Sequence, residues 1–408
     1  MSELATQRRT EVRALARTAF DEIAGAVGGI SSIHRSVSDR IFATVGLGVG
    51  SAHTPVKAIH DAITDVVYTA VAESASLAGK VAEQTVDLPN SAPLSHTSRG
   101  AGLIAAVQGL VGDTLEAEGH ELATSAMSVR VAGVEVSLDK DSLATTFPAA
   151  TPHLVVFLHG LVESEYAWKL GGRPTYGDRL VDDLDATPIY IRYNSGRRIS
   201  DNARSLAELM DELVGEWPVP VERISFVGHS MGGLIARGAC CLGSDEWTQW
   251  VHLVRHTVCL GSPHLGAPLE RLVHYGSAAL NVLPETRPFS RLLRRRSGGI
   301  RDLFAGSLVD QDWRDRDPDA LRIAACQEVP LLFGAQHYFV SATITRSPRH
   351  PLGRIIGDGL VLVPSASGSN KSRRIGFEVE NGMHIGSANH FSLLNNESVY
   401  EKLLTWLR

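Results

Sequence analysis

Residues 224–241 constrain the fold more than any other stretch. Ile224-Ser225-Phe226-Val227 runs directly into Gly228-His229-Ser230-Met231-Gly232-Gly233, and the small and apolar residues 234–241 follow without a break. A buried strand, a sharp turn and a helix in immediate succession are the signature of an α/β layer architecture. The spacing around Ser230 is G-x-S-x-G. Gly228 and Gly232 lack a Cβ, so neighbouring backbone can approach closely, and the turn projects the Ser230 hydroxyl outward from a strained backbone. The adjacent helix N-terminus favours developing negative charge.

The rest of the chain agrees with that reading from residue 126 onward. Residues 127–132 and 134–138 alternate apolar and polar around Gly133, as in an antiparallel hairpin. The run 153–158 is apolar throughout, as expected for a strand covered on both faces. Further strands are predicted at 188–193, 223–227, 252–260 and 337–343. Helices are predicted at 234–241, at 398–407 and after Ser200 or Asp201, either of which can act as N-cap. The alternation predicts an α/β fold with a mostly parallel sheet flanked by helices. Residues 268–330 interrupt it without a strong strand signal, and an insertion of this length predicts a cap or lid.

The first 125 residues differ in character. Apolar residues recur at helical spacing at Phe20, Ile23, Val27 and Ile30, again at Ile59, Ile63, Val66, Val67, Ala70 and Val71, and again at Leu103, Ile104, Val107, Leu110 and Val111. Gly, Ser and Pro fill 48–55 and 88–100 between them. The chain of 408 residues therefore divides into a helical N-terminal region, 1–125, of undefined role and a catalytic unit, 126–408.

Composition narrows the function. The net charge is −6, with no cationic excess to neutralise a nucleic acid backbone, so no nucleic acid partner is expected. Nine basic against fourteen acidic residues in 1–125 make that segment repellent to anionic lipid, so its stripes are expected to pack on the next unit. The four cysteines, Cys240, Cys241, Cys259 and Cys326, lack zinc-site spacing and read as small buried hydrophobes in a reduced protein. HExxH and Walker-type phosphate loops are absent, so no metal and no cofactor are expected. The N-terminus lacks an apolar signal core, and the acidic Glu3 and Glu11 oppose a transit peptide. A cytoplasmic location is the resulting expectation. The one basic cluster, Arg291, Arg294, Arg295 and Arg296, is expected to close a helix before Ser297-Gly298-Gly299. Its other reading is a cap that touches a membrane surface peripherally.

Leu158-His159-Gly160-Leu161 ends the strand at 153–158. Attack of a hydroxyl on an ester creates an oxyanion that two preset amides must hold. Met231, directly after Ser230, supplies one and Leu161 the other, with Gly160 letting the loop fold close. His159 reads as a hydrogen-bonding structural residue in preference to a catalyst.

These motifs, together with Gly261-Ser262-Pro263-His264-Leu265-Gly266-Ala267, occur in this order in the α/β-hydrolase superfamily. Residues 126–408 resemble its lipases and carboxylesterases, with some similarity to the group that includes GPI inositol-deacylases. The resemblance implies a triad in the order nucleophile, acid, histidine. Gly357-Asp358-Gly359-Leu360-Val361 is similar to the segment carrying the acid, which makes Asp358 the candidate, with Asp310 and Asp312 in reserve. Asn389-His390-Phe391-Ser392-Leu393-Leu394 is similar to the segment carrying the base, which makes His390 the candidate and His384 its rival. His159, Gly160, His229, His264 and Leu265 are expected to line the substrate side. Arg192-Tyr193-Asn194 either lines the pocket or packs a loop. The implied function is hydrolysis of small-molecule or lipid esters through an acyl-enzyme on Ser230. An acyltransferase with the same triad and a non-catalytic scaffold with an N-terminal interaction module are the alternatives. Protein partners are not readable.

Overall fold

The computed structural model describes residues 3–18, 92–123, 126–245, 248–267, 297–317 and 326–408. The stripes at 20–30 and 59–71 and the arginines of 291–296 lie outside the described residues.

The expected mostly parallel sheet is present. Its strands are β1 (Ser128–Val131), β2 (Val134–Glu135), β3 (His153–Leu158), β4 (Thr187–Arg192), β5 (Arg223–His229), β6 (Val254–Leu260), β7 (Gln336–Thr343) and β8 (Gly382–Gly386). The spatial order is β2-β1-β4-β3-β5-β6-β7-β8. β1 and β2 form the antiparallel hairpin, with Arg130 opposite Glu135, and β1 also pairs antiparallel with β4. All pairs from β4 to β8 are parallel.

Ten α-helices lie among the described residues: α1 (Glu3–Thr18), α2 (Ser98–Ala117), α3 (Lys140–Thr146), α4 (Tyr176–Leu184), α5 (Ile199–Glu216), α6 (Met231–Asp245), α7 (Gly298–Ala305), α8 (Pro351–Ile356), α9 (Val363–Ala366) and α10 (Glu397–Trp406). The third apolar stripe of the N-terminal region lies on α2.

The continuous apolar run of β3 has a direct structural reason. Successive side chains of a strand point to opposite faces. Leu154, Val156 and Leu158 join one core with Leu206, Met210 and Leu213 of α5 and Leu234 and Ile235 of α6. Val155 and Phe157 join a second core with Trp168, Tyr176 and Leu180 on one side and Leu403 and Trp406 of α10 on the other. Both faces are covered, so neither position can be polar.

One local expectation is corrected. α5 begins at Ile199, and neither Ser200 nor Asp201 caps it. Its first amide, Ile199 N, donates to Asp302 Oδ2 at 2.9 Å, and Arg198 pairs with the same carboxylate at 2.7 Å. The cap therefore comes from α7, about a hundred residues away. Ser297-Gly298-Gly299 opens a helix: Ser297 accepts the Ile300 amide as N-cap of α7, and the expected helix end at 291–296 lies outside the described residues.

At the opposite end of the sheet from the glycine-rich turn lies a buried chain of polar groups. Ser225 Oγ lies 2.9 Å from His153 Nε2 and 3.2 Å from His256 Nδ1. Burial, reinforced by Arg223, pushes His153 down to about 3 and His256 to about 4. An unfolded histidine titrates near 6.5, so below that pH the unfolded chain binds protons that the folded chain refuses. Stability is fully present above pH 6.5 and is lost as pH falls from 6.5 towards 3. Denaturant midpoints measured between pH 7 and 4.5 should fall. In the His153→Gln variant the midpoint should fall less steeply over that range.

Candidate active site

β5 ends at His229, α6 begins at Met231, and Ser230 between them has φ +51°. A non-glycine residue in this region persists only where its surroundings fix it. Here Ser230 N donates to Leu260 O on β6 at 2.8 Å, and Gly233 N donates to Ser230 O at 3.3 Å. A Cβ on Gly228 would strike the backbone of Gly232 and Gly233, and one on Gly232 would strike the carbonyls of Leu158 and His159. The two glycines are thus demanded by close approach. Ser230 retains 8 % exposure, whereas His229 before it and Met231 after it have none.

His390 opens the 3₁₀ turn His390–Leu394, just ahead of α10. Asp358 follows α8 in the loop between β7 and β8. His390 Nδ1 lies 2.8 Å from Asp358 Oδ2, and His390 N donates to the Asp358 carbonyl at 3.0 Å. The other carboxylate oxygen accepts from Leu360 N at 3.0 Å and Val361 N at 2.7 Å. Both side chains are buried. Burial by itself would lower the His390 pKa; the charge and hydrogen bond of Asp358, with the charge of Glu163, outweigh it and raise the pKa above the ordinary 6.5. With Nδ1–H given to the carboxylate, Nε2 is the nitrogen left to accept a proton.

His390 packs against the neighbours of Ser230. Leu260 holds the Ser230 amide, and a Cβ on the next residue, Gly261, would lie 3.1 Å from both Cε1 and Nδ1 of His390. The His229 ring, adjacent to Ser230 in the chain, sits 4.7 Å from the His390 ring.

On the other side of Ser230 is the loop after β3. A Cβ on Gly160 would lie 3.1 Å from Ser230 Cβ. Met231 N is the first amide of α6, where no intrahelical acceptor exists. Neither it nor Leu161 N has an acceptor among the described hydrogen bonds.

Glu163 is a residue that the motif reading passed over. Its Oε2 accepts from Gly160 N at 2.6 Å and lies 3.0 Å from His229 Nδ1. His229 Nε2 donates to the His390 carbonyl at 3.3 Å. Burial would raise the Glu163 pKa; His229 and the Gly160 amide reverse that and hold it below the usual carboxylate range. The available signal was an acidic residue three positions after Gly160 in an otherwise apolar loop. Glu163→Gln removes a negative charge that raises the His390 pKa. The acid limb of the kcat/KM profile should therefore move to lower pH, with kcat on the plateau reduced by on the order of tenfold as the loop loosens. A pH–rate profile of the variant checks both.

His159, His229 and His264, expected on the substrate side, are each hydrogen-bonded within the protein. All three are fully buried. His159 stacks on Tyr193 at 4.0 Å and accepts the Tyr193 amide, which assigns Arg192-Tyr193-Asn194 to loop packing. His229 braces His390 and Glu163. His264 Nδ1 bonds Arg237 at 3.1 Å, and burial lowers its pKa well below 6.5. His159 and His229 each use both ring nitrogens to tie neighbouring loops together. Leu265 is 7 % exposed, and its amide donates to Ser365 Oγ. His384 lies on β8 and bonds Ser341 and Thr343. Asp310 pairs with Arg204 and Arg314, and Asp312 accepts from Leu308, Val309 and Gln327 amides. None of these three meets Ser230. Among the described residues no cluster of three or more His, Cys, Asp or Glu could hold a metal.

Residues 149–307 match the protein-family model described as "Putative serine esterase (DUF676)". That match lies within the mostly parallel sheet described above, which is flanked by helices. The chain has the α/β-hydrolase fold. Solved structures similar to it include the mature Bacillus licheniformis lipase BlEst2, at 17 % identity, covering 64 % of this chain and 93 % of that one with a TM-score of 0.39. A lipase-esterase related protein from Clostridium acetobutylicum is 15 % identical, covering 63 % and 96 %, with a TM-score of 0.34. Naproxen esterase from Bacillus subtilis is 15 % identical, covering 62 % and 83 %, with a TM-score of 0.31. No curated protein matches the chain. Within this fold Ser230 occupies the strand-to-helix turn between β5 and α6.

Proposed function

We propose that the protein is a serine hydrolase that cleaves carboxylic esters, lipid esters among them, through an acyl-enzyme on Ser230. The observation that supports this reading is a serine at φ +51° whose amide is held by Leu260, with the ring of a buried, Asp358-paired His390 packed against the next residue, Gly261. His390 Nε2 takes the Ser230 proton as Oγ attacks the acyl carbonyl. Asp358 holds the imidazole in the Nδ1–H form and stabilises it once protonated. The Met231 and Leu161 amides receive the oxyanion. His390 then protonates the leaving alkoxide, and a water activated by the same nitrogen releases the acid and frees Ser230.

In this reading α2 belongs with the catalytic unit, since its Gly109 packs against Val162 of the loop after β3. The test is labelling with a fluorophosphonate probe, followed by peptide mapping and by a panel of p-nitrophenyl and glycerolipid esters. The label is expected on Ser230, with turnover of at least one ester class. A folded protein that takes no label at Ser230 would overturn the reading.

A further inference from the structure

We infer that helix α2 is part of the catalytic apparatus: Gly109 is a positioning residue that holds the strained turn presenting the Leu161 amide. The inference rests on the proposed role of Leu161 as an oxyanion donor.

The turn is Gly160-Leu161-Val162-Glu163, closed by Glu163 N donating to Gly160 O at 3.4 Å. Its third residue, Val162, has φ +57°. Turns with a positive φ at that place ordinarily take Gly or Asn there. Val162 is the one β-branched residue at positive φ among the described residues. A stiff, branched side chain resists this conformation, so something outside the turn must hold it.

Two contacts do so. Val162 N donates to Ser195 Oγ at 3.1 Å, and Ser195 is buried in the loop after β4. The Val162 side chain fits against Gly109 of α2. A Cβ on Gly109 would lie 2.5 Å from Val162 Cγ1, 3.0 Å from its N and 3.1 Å from its Cα. No side chain can be added there without moving the turn or the helix.

The helix itself is gripped. Asn194 Nδ2 donates to Gly112 O at 3.0 Å. Ser297, the cap of α7, donates its hydroxyl to Gly109 O at 2.6 Å and its amide to Leu110 O at 3.1 Å. Gly298 N donates to Asp113 Oδ2 at 2.6 Å. Leu161 is thus flanked by two amides that already have acceptors, Gly160 on Glu163 and Val162 on Ser195, while its own N–H has none among the described hydrogen bonds. A helix far upstream in sequence sets the backbone of an oxyanion donor, which makes the N-terminal region a determinant of turnover and not of substrate affinity.

The test is a double-mutant cycle on the full chain, read as kcat and KM with a p-nitrophenyl ester. Gly109→Ala is expected to lower kcat by about 10- to 100-fold with KM within a factor of two, because the donor is lost mainly from the transition state. In a Val162→Gly background the obstructing Cγ1 is gone, so the same Gly109→Ala change should cost less than about threefold. Ser195→Ala, which leaves the Gly109 contact intact, is expected to lower kcat by about three- to tenfold at unchanged KM, and it carries the test should Gly109→Ala not fold. A Gly109→Ala enzyme with wild-type kcat, one that loses only affinity, or an equal deficit in both backgrounds would overturn the inference. So would an unaffected Ser195→Ala enzyme. Wild-type turnover and Ser230 labelling report separately on the underlying function.

Discussion

Ser230→Ala should lower kcat for a p-nitrophenyl ester by about 10⁴ to 10⁶ while leaving the fold intact. The large effect follows from what Ser230 alone supplies. In the proposed mechanism its Oγ is the group that bonds to carbon, and the neighbouring serines are poorly placed to take over: Ser262 is fully buried, and Ser195 Oγ accepts the Val162 amide. Structural cost should be small, because the backbone bonds that fix the turn come from the Ser230 amide and carbonyl. Circular dichroism and thermal midpoint should stay near wild type, and residual turnover should reflect binding and the oxyanion amides. Loss of no more than tenfold would place the nucleophile elsewhere.

Asp358→Asn is expected to lower kcat by roughly 10⁴. The carboxylate acts on His390 in two ways. It accepts Nδ1–H, which leaves Nε2 as the basic nitrogen, and its charge raises the His390 pKa. An amide in its place can donate to Nδ1, which selects the wrong tautomer, and has no charge to offset burial. The substituted side chain must also still accept the Leu360 and Val361 amides through its oxygen, which turns its NH₂ towards His390. The acid limb of the remaining activity should therefore shift to lower pH than in wild type, since a raised pKa requires a higher pH to free the base. A kcat/KM profile over pH 5 to 9 measures this directly.

The parts of this protein legible in its sequence are those where chemistry is local. The strand–turn–helix around Ser230 is written in consecutive residues, because only glycine permits the approaches at 228 and 232. The two-sided burial of β3 is written in its unbroken apolar run. Asp358 and His390, which the structure pairs, are expected from short segments that resemble those of a known superfamily. What escaped the sequence depends on partners that meet only in three dimensions. The Asp302 cap on α5 comes from another helix, so Ser200 and Asp201 looked sufficient. The burial of His159, His229 and His264 could not be told from exposure, since a histidine that braces a loop and one that faces substrate carry the same letter. Glu163 gains its role from His229 and Gly160, and Gly109 gains its role from a valine held at positive φ. Local backbone preference and apolar periodicity act along the chain and can be read there. Hydrogen-bond pairing, burial and steric fit act across it, and the packed fold alone decides them.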